Sequence, residues 1–296
     1  MAKMKTFLQR LAEPRPILLD AATGTELERR GMDTSSPIWS AAALLSAPNL
    51  VEQIHRDYLQ AGAEIIITNT FRTHRRSLEK VGRGDEAASL TALAVDLAKK
   101  AVLESGKQAF VAGSMAPLED SYSTGEPLPH EVYLWEHMEM ARNLAAVGVD
   151  LLLIETMKDI AEAETAAEAA HATGLPFGVS FICKADGRLF SGESLAQAVQ
   201  AVELYGPSFL GINCTPAPSL DKALIELRAA TKLPLAVYAN PGHTEDYEHW
   251  GETEATQPEA YARYAQQWLA LGTKLVGGCC GTRPEHIAAI RIAEAV

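Results

Sequence analysis

Cysteine is scarce in this chain: only four occur among 296 residues, yet two of them, Cys279 and Cys280, are adjacent. Geometry disfavours a disulfide between the neighbours, because adjacent Cα atoms sit about 3.8 Å apart and a normal disulfide needs at least about 4.4 Å. Long apolar runs are missing as well: none approaches the roughly 18 residues that a bilayer-crossing helix needs. The opening segment MAKMKTFLQRLAEPRP lacks the apolar stretch and small-residue cleavage site of a secretory signal. A cytoplasmic protein is therefore expected. In a reducing compartment its cysteines are read as ligands, nucleophiles or core filler. No Lys/Arg-rich stripe interleaves with aromatics, and the net charge is −12, which disfavours nucleic acid or an anionic membrane as partner. No CxxC pair, HxxxH spacing, repeat, low-complexity tract or linker is found, so one domain over residues 1–296 is expected.

What the chain does have is eight short β-branched runs, at 16–23, 63–71, 108–116, 150–157, 176–183, 209–215, 234–240 and 274–282. They alternate with Ala-rich stretches of helical periodicity that end in Gly or Pro. Runs that are apolar on both faces suit a parallel sheet covered by helices, and eight such units predict an α/β fold, a closed (βα)8 TIM barrel. An open doubly wound sheet is the alternative. The three longest irregular segments, 117–131, 184–193 and 241–257, all follow strands. In such barrels the C-terminal strand ends carry the active site.

Polar residues at those ends are therefore expected around one mouth: Asp20, Asn69, Thr70, Ser114, Glu155, Thr156, Cys183, Asn213, Cys214, Asn240 and the Cys279–Cys280 pair. The sixth run ends in GINCT and the eighth in GGCCG, so three thiols can converge. Three sulfurs at about 2.3 Å fill three corners of a zinc tetrahedron and leave a fourth open, the mark of a catalytic rather than a structural site. Cys183 ends a core strand and reads as a buried small hydrophobe, with a fourth ligand as the alternative. The role of His243, in the loop after the seventh run, stays open.

GINCT followed by GGCCGTRPEHI resembles the homocysteine S-methyltransferase family, as do DAATGTELERRG, SSPIWSAAAL, TNTF, GSMAPLEDSYSTGE, IETMKDIAEA and SFICKADGRLFSGESLAQAV. The resemblance implies a barrel holding Zn2+ through Cys214, Cys279 and Cys280, with homocysteine as methyl acceptor and methionine as product. It also implies that Asp20 and Glu155 serve the acceptor's amino group, as the catalytic pair. The turn formed by Thr23, Gly24 and Thr25 would offer backbone N–H groups to the acceptor's carboxylate, and Asn213 stands beside the sulfurs as a further substrate contact. The chemistry is coherent without the name: a free alkyl thiol is mostly protonated at neutral pH, whereas a thiol on zinc is deprotonated.

The methyl donor is expected against Trp39, Phe71 and Arg72. After TNTF the betaine-dependent branch has a tyrosine that helps to cage a quaternary ammonium, and this chain has Arg72, a cation that would repel betaine. The chain ends soon after the eighth run, without room for folate or cobalamin modules. These features favour a sulfonium donor, S-methylmethionine or S-adenosylmethionine, acting with no protein partner. Three other readings stay open: a subunit that presents the thiolate to a separate methyl-corrinoid protein, a betaine-dependent homocysteine methyltransferase, and a zinc-thiolate sensor with no methyl transfer. Homocysteine versus a selenol acceptor, the donor itself and the oligomeric state are not legible.

Overall fold

The computed structural model describes residues 5–122, 125–246, 249–251 and 253–294, with the side chains of 243–250 and 294 left out. Eight parallel strands form the central sheet: β1 (Ile17–Leu18), β2 (Ile65–Ile67), β3 (Phe110–Met115), β4 (Leu151–Met157), β5 (Phe177–Phe181), β6 (Phe209–Pro216), β7 (Leu235–Asn240) and, after a small hairpin, β10 (Thr273–Gly278). Their order is β1-β10-β7-β6-β5-β4-β3-β2. A parallel bridge between Leu19 and Ile65 joins the two ends of that order, so the sheet is a barrel. At least one helix of eight or more residues follows each strand, and the expected (βα)8 architecture is the one observed. Among the described residues, no helix is long and apolar enough to cross a membrane.

The helix Ile160–His171 shows how the local sequence dictates its structure. Asp159 accepts the N–H of Glu162 as N-cap, and His171 lies in the last turn near the dipole's negative end. Ala163, Ala166, Ala167 and Ala170, spaced three and four apart, form the buried stripe against the sheet.

Strand alternation divides the core in two. Val111, Leu152, Val179, Ile212 and Val237 face the helices. Ile17, Leu19, Ile65, Phe110, Leu153, Phe209 and Leu275 fill the barrel. The bottom of this inner core is closed by a helix that the sequence reading did not anticipate, Phe7–Leu11, opened by a capping box between Thr6 and Gln9. Its Phe7 ring packs edge-on against Phe110 at 5.8 Å and Phe209 at 6.0 Å. Arg10 ties the same helix to the carbonyl of Arg15 and the carboxylate of Glu64.

Segment 241–257, read as irregular, contains a two-stranded antiparallel ladder, β8 (His243–Asp246) with β9 (His249–Gly251). Such short polar strands have no apolar alternation to reveal them. The backbone of His243 pairs with Gly251, and its side chain lies outside the described residues.

Phe7→Ala is expected to remove about 3–5 kcal/mol of stability, as for other buried aromatics. Chemical denaturation of the reduced, metal-free protein measures it, and a loss below about 1 kcal/mol would show that this ring does not hold the bottom of the barrel closed.

Candidate active site

The alternation that fills the barrel also aims its polar groups. Leu151 and Leu153 face inward, so Glu155 on β4 does too; Ala112 leads to Ser114 on β3, and Leu275 leads through Gly277 to Cys279. Above the last apolar layer these residues meet a cavity of about 390 Å³. Its wall includes the turn Thr23–Thr25, the cluster Trp39, Phe71 and Arg72, the carboxyl of Glu155, and the sulfurs of Cys214, Cys279 and Cys280. Asp20 and Asn213, the other two residues expected to contact substrate, are completely buried and are not part of the wall.

The three sulfurs lie within 4.8 Å of one another, the only such group of ligand atoms among the described residues that could hold a metal ion. Cys214 and Cys279 are drawn together as a disulfide pair, their Cα atoms 5.4 Å apart, while Cys280 is a free thiol. The convergence expected of these strand ends is observed, and strand ends that converge on a metal position also bring two sulfurs within bonding reach. A metal site needs all three as thiolates, so the pair must first be reduced. The surroundings fit such a ligand set: the Thr156 hydroxyl donates to the Cys214 sulfur at 3.9 Å and the Asn213 amide to the Cys279 sulfur at 4.0 Å. Burial pushes the Cys280 thiol up to about 12, with the charges of Glu28 and Glu155 acting in the same direction, so without a cation it stays protonated. Cys183 is buried in the outer core, away from this group.

Asn213 serves as a joint. Its Oδ1 accepts the backbone N–H of Thr156 at 2.9 Å and its Nδ2 donates to the Thr156 hydroxyl at 2.7 Å. Thr156 has φ +63°, Cys214 φ +51° and Trp39 φ +43°; these are the non-glycine residues with positive φ among the described residues, and all three line the cavity. Backbone in this region is disfavoured for residues with a Cβ and persists where neighbours hold it. The Asn213 clasp holds Thr156, and Asn240, donating to the Cys214 carbonyl at 2.8 Å, holds Cys214.

The acidic side is built from Glu155 and Asp20. Glu155 accepts the Ser114 hydroxyl at 2.5 Å, and burial pushes its carboxyl up to about 7. Asp20 neither caps the helix Gly24–Arg29 nor meets a cation. One carboxylate oxygen accepts the N–H of Ile67 at 2.9 Å, and the other has no partner. Burial, with the Glu155 charge adding, raises Asp20 well above the ordinary carboxylate range. The buried Tyr238 hydroxyl, which sequence reasoning missed, stands near both acids with no fixed partner. Only its inward register on β7 could have revealed it.

The aromatic side rests on Gly24, whose missing side chain makes room for the Trp39 indole: a Cβ there would lie 2.0 Å from the ring. Trp39 meets Phe71 edge-on at 5.9 Å and donates through Nε1 to Glu28 at 3.3 Å. The Thr25 hydroxyl accepts the N–H of Gly281 and so joins this turn to the cysteine loop.

A family model described as homocysteine S-methyltransferase matches residues 17–294. The chain belongs to this family. It is 35% identical to the homocysteine S-methyltransferase of Escherichia coli, over 93% of this chain and 94% of that protein. It is 30% identical to a selenocysteine methyltransferase of Astragalus bisulcatus, over 93% and 91%. A crystal structure of the Escherichia coli homocysteine methyltransferase MmuM, in a metallated form, superposes with a TM-score of 0.83 at 31% identity, covering 96% of this chain and 98% of that one. As a member of the homocysteine S-methyltransferase family, the protein is a methyltransferase.

Reduced protein incubated with zinc and desalted is expected to retain one ion per chain, and Cys280→Ser to retain none while melting cooperatively. Retention of a full equivalent by Cys280→Ser would remove this residue from the ligand set.

Proposed function

We propose that the enzyme moves a methyl group from a sulfonium compound, S-methylmethionine first and S-adenosylmethionine second, to the sulfur of homocysteine, giving methionine. The observation that carries this reading is that one cavity joins a three-sulfur cluster to the Glu155 carboxyl, with Asp20 buried behind the wall and no cation paired with either acid. Zinc on the three sulfurs would keep an incoming thiol ionised at neutral pH.

The chain's own groups do the rest. Two neighbouring buried acids favour a shared cation, and the ammonium of an amino acid supplies it, giving the unpartnered Asp20 oxygen and Glu155 a partner. The first turn of Gly24–Arg29 has no capping side chain, so its N–H groups are available to the carboxylate. Trp39 and Phe71 offer ring faces to a sulfonium. In the transfer the acceptor sulfur forms a bond to the methyl carbon as the donor's sulfur–methyl bond breaks, and that electron pair stays on the departing thioether. A cation and an anion become two neutral products, a change favoured where water is excluded. Betaine is disfavoured by the guanidinium of Arg72, and no protein partner is needed.

Two measurements test this reading. Reduced, zinc-loaded protein should form methionine alone, faster with S-methylmethionine than with S-adenosylmethionine and little with betaine; selenocysteine run in parallel decides the acceptor. Turnover only after addition of a methyl-corrinoid protein would replace this reading with the presenting-subunit one.

Glu155→Gln should weaken homocysteine binding about 10- to 100-fold, the worth of a hydrogen bond to a charged group. Because the carboxyl sits near 7, wild-type affinity for methionine, which has no ionisable sulfur, should fall as pH drops from 8 to 6, and the variant should flatten that slope. An equal slope in both proteins would remove Glu155 from the ammonium site.

A further inference from the structure

Arg72 is a half-buried cation whose hydrogen bonds account for only part of it. Its side chain lines the cavity, and its guanidinium lies 5.1 Å from the centre of the Phe71 ring. A single nitrogen, Nη1, donates to the carbonyls of Pro117 at 3.1 Å and Glu119 at 3.3 Å. Those bonds use both hydrogens of Nη1. An arginine has five N–H donors, so the Nε–Nη2 edge, the side that grips carboxylates in a bidentate fork, has no partner among the described residues.

The nearby carboxylates do not supply one. Glu119 is paired with Arg76 and Lys80, Glu162 with His137, and Asp120 accepts the N–H of Tyr122. Their charges act on Arg72, yet none forms an ion pair with it, and desolvation pulls the guanidinium below its ordinary range. A half-buried guanidinium edge with no fixed partner, facing a cavity, is the kind of group that an incoming carboxylate completes.

We infer that the free edge of Arg72 receives the carboxylate of the methyl donor, so that the enzyme selects sulfonium compounds built on an amino acid. The inference rests on the sulfonium reading and deepens it. In S-methylmethionine three carbons separate the sulfonium sulfur from the carboxylate oxygens' own bonding partner, room for the carboxylate to meet Arg72 while the sulfonium meets the rings. In betaine a single methylene would bring the quaternary ammonium up to the guanidinium, so the same residue accepts one donor and rejects the other. Arg72 thereby has two tasks: Nη1 fixes the backbone at 117–119, and the opposite edge reads the ligand.

The test compares S-methylmethionine with its carboxamide, S-methylmethioninamide, in the reduced, zinc-loaded enzyme with homocysteine. Wild type should prefer the carboxylate by about 10- to 100-fold in kcat/KM, the span of a charge-assisted hydrogen bond. In Arg72→Gln the two donors should come within about threefold, through loss of the carboxylate donor alone. Arg72→Lys, which keeps the charge without the fork, should fall between. A purely structural role would lower both donors in proportion and leave the ratio at its wild-type value, which overturns the inference. If Arg72→Gln does not fold, the wild-type ratio decides: a ratio near one overturns it without any variant. No methionine from either donor would overturn the sulfonium reading and this inference together.

Discussion

Closure of the barrel depends on the two-residue strand Ile17–Leu18 and on the residues just after it. On one side it pairs with β10, Ile17 against Leu275 and Leu18 against Val276. On the other it reaches β2 through the Leu19–Ile65 bridge, the N–H of Asp20 on the Ile65 carbonyl, and the Asp20 carboxylate on the N–H of Ile67. A side chain thus continues the ladder where the backbone turns away. The Asp20 carbonyl also accepts the N–H of Gly278, the residue before the cysteine pair. Gly277 explains part of the GGCC pattern, because a Cβ there would lie 2.6 Å from that of Leu19 and 2.7 Å from the Asp20 carbonyl. Sulfurs from the end of the chain and an acid from its start meet because this seam is tight.

Strain and hydrogen bonding then lock the two halves of the site together. Thr156 follows Glu155, and Cys214 follows Asn213; both Thr156 and Cys214 have positive φ, and the Asn213 amide links one to the other. Such backbone is expensive on its own and cheap once the barrel wall has placed its partners. The result is a rigid relation between the acidic group that would hold an amino acid and the sulfurs that would meet its thiol. Preorganisation of this kind is what positions reacting groups without cost at the moment of reaction.

Under the proposed reading, electrostatics would give the cavity its selectivity. Glu155 lines it without a cation, with Asp20 buried behind, and a guanidinium without a carboxylate lies towards the loop after β3. Burial disfavours the charged form of each acid, and a ligand cation beside them or an anion beside the half-buried Arg72 would offset that cost. Two zwitterionic amino acids, one offering its ammonium below and one its carboxylate above, would satisfy both ends. The sulfur-bearing ends of both ligands would then point at the space between the rings and the cysteines.

Much of this was legible in the sequence. The eight strands announced themselves because runs such as Leu151–Ile154 are buried on both faces, and cysteine is rare enough that three at neighbouring strand ends point to one place. Glu155 could be named as an acid at a strand end, whereas Trp39 and Arg72 were named only through the family resemblance. Which partner each side chain takes was decided only by the tertiary structure. Asn213 is spent on Thr156, half of Asp20 on closing the barrel, part of Arg72 on two carbonyls, and Cys214 pairs with Cys279. The Phe7 plug and the β8–β9 hairpin left no periodic signal. Composition and spacing determine which face of an element is buried, since that depends on the residue and its period. Hydrogen-bond partners lie tens to hundreds of residues away, and only the closed barrel brings them within reach.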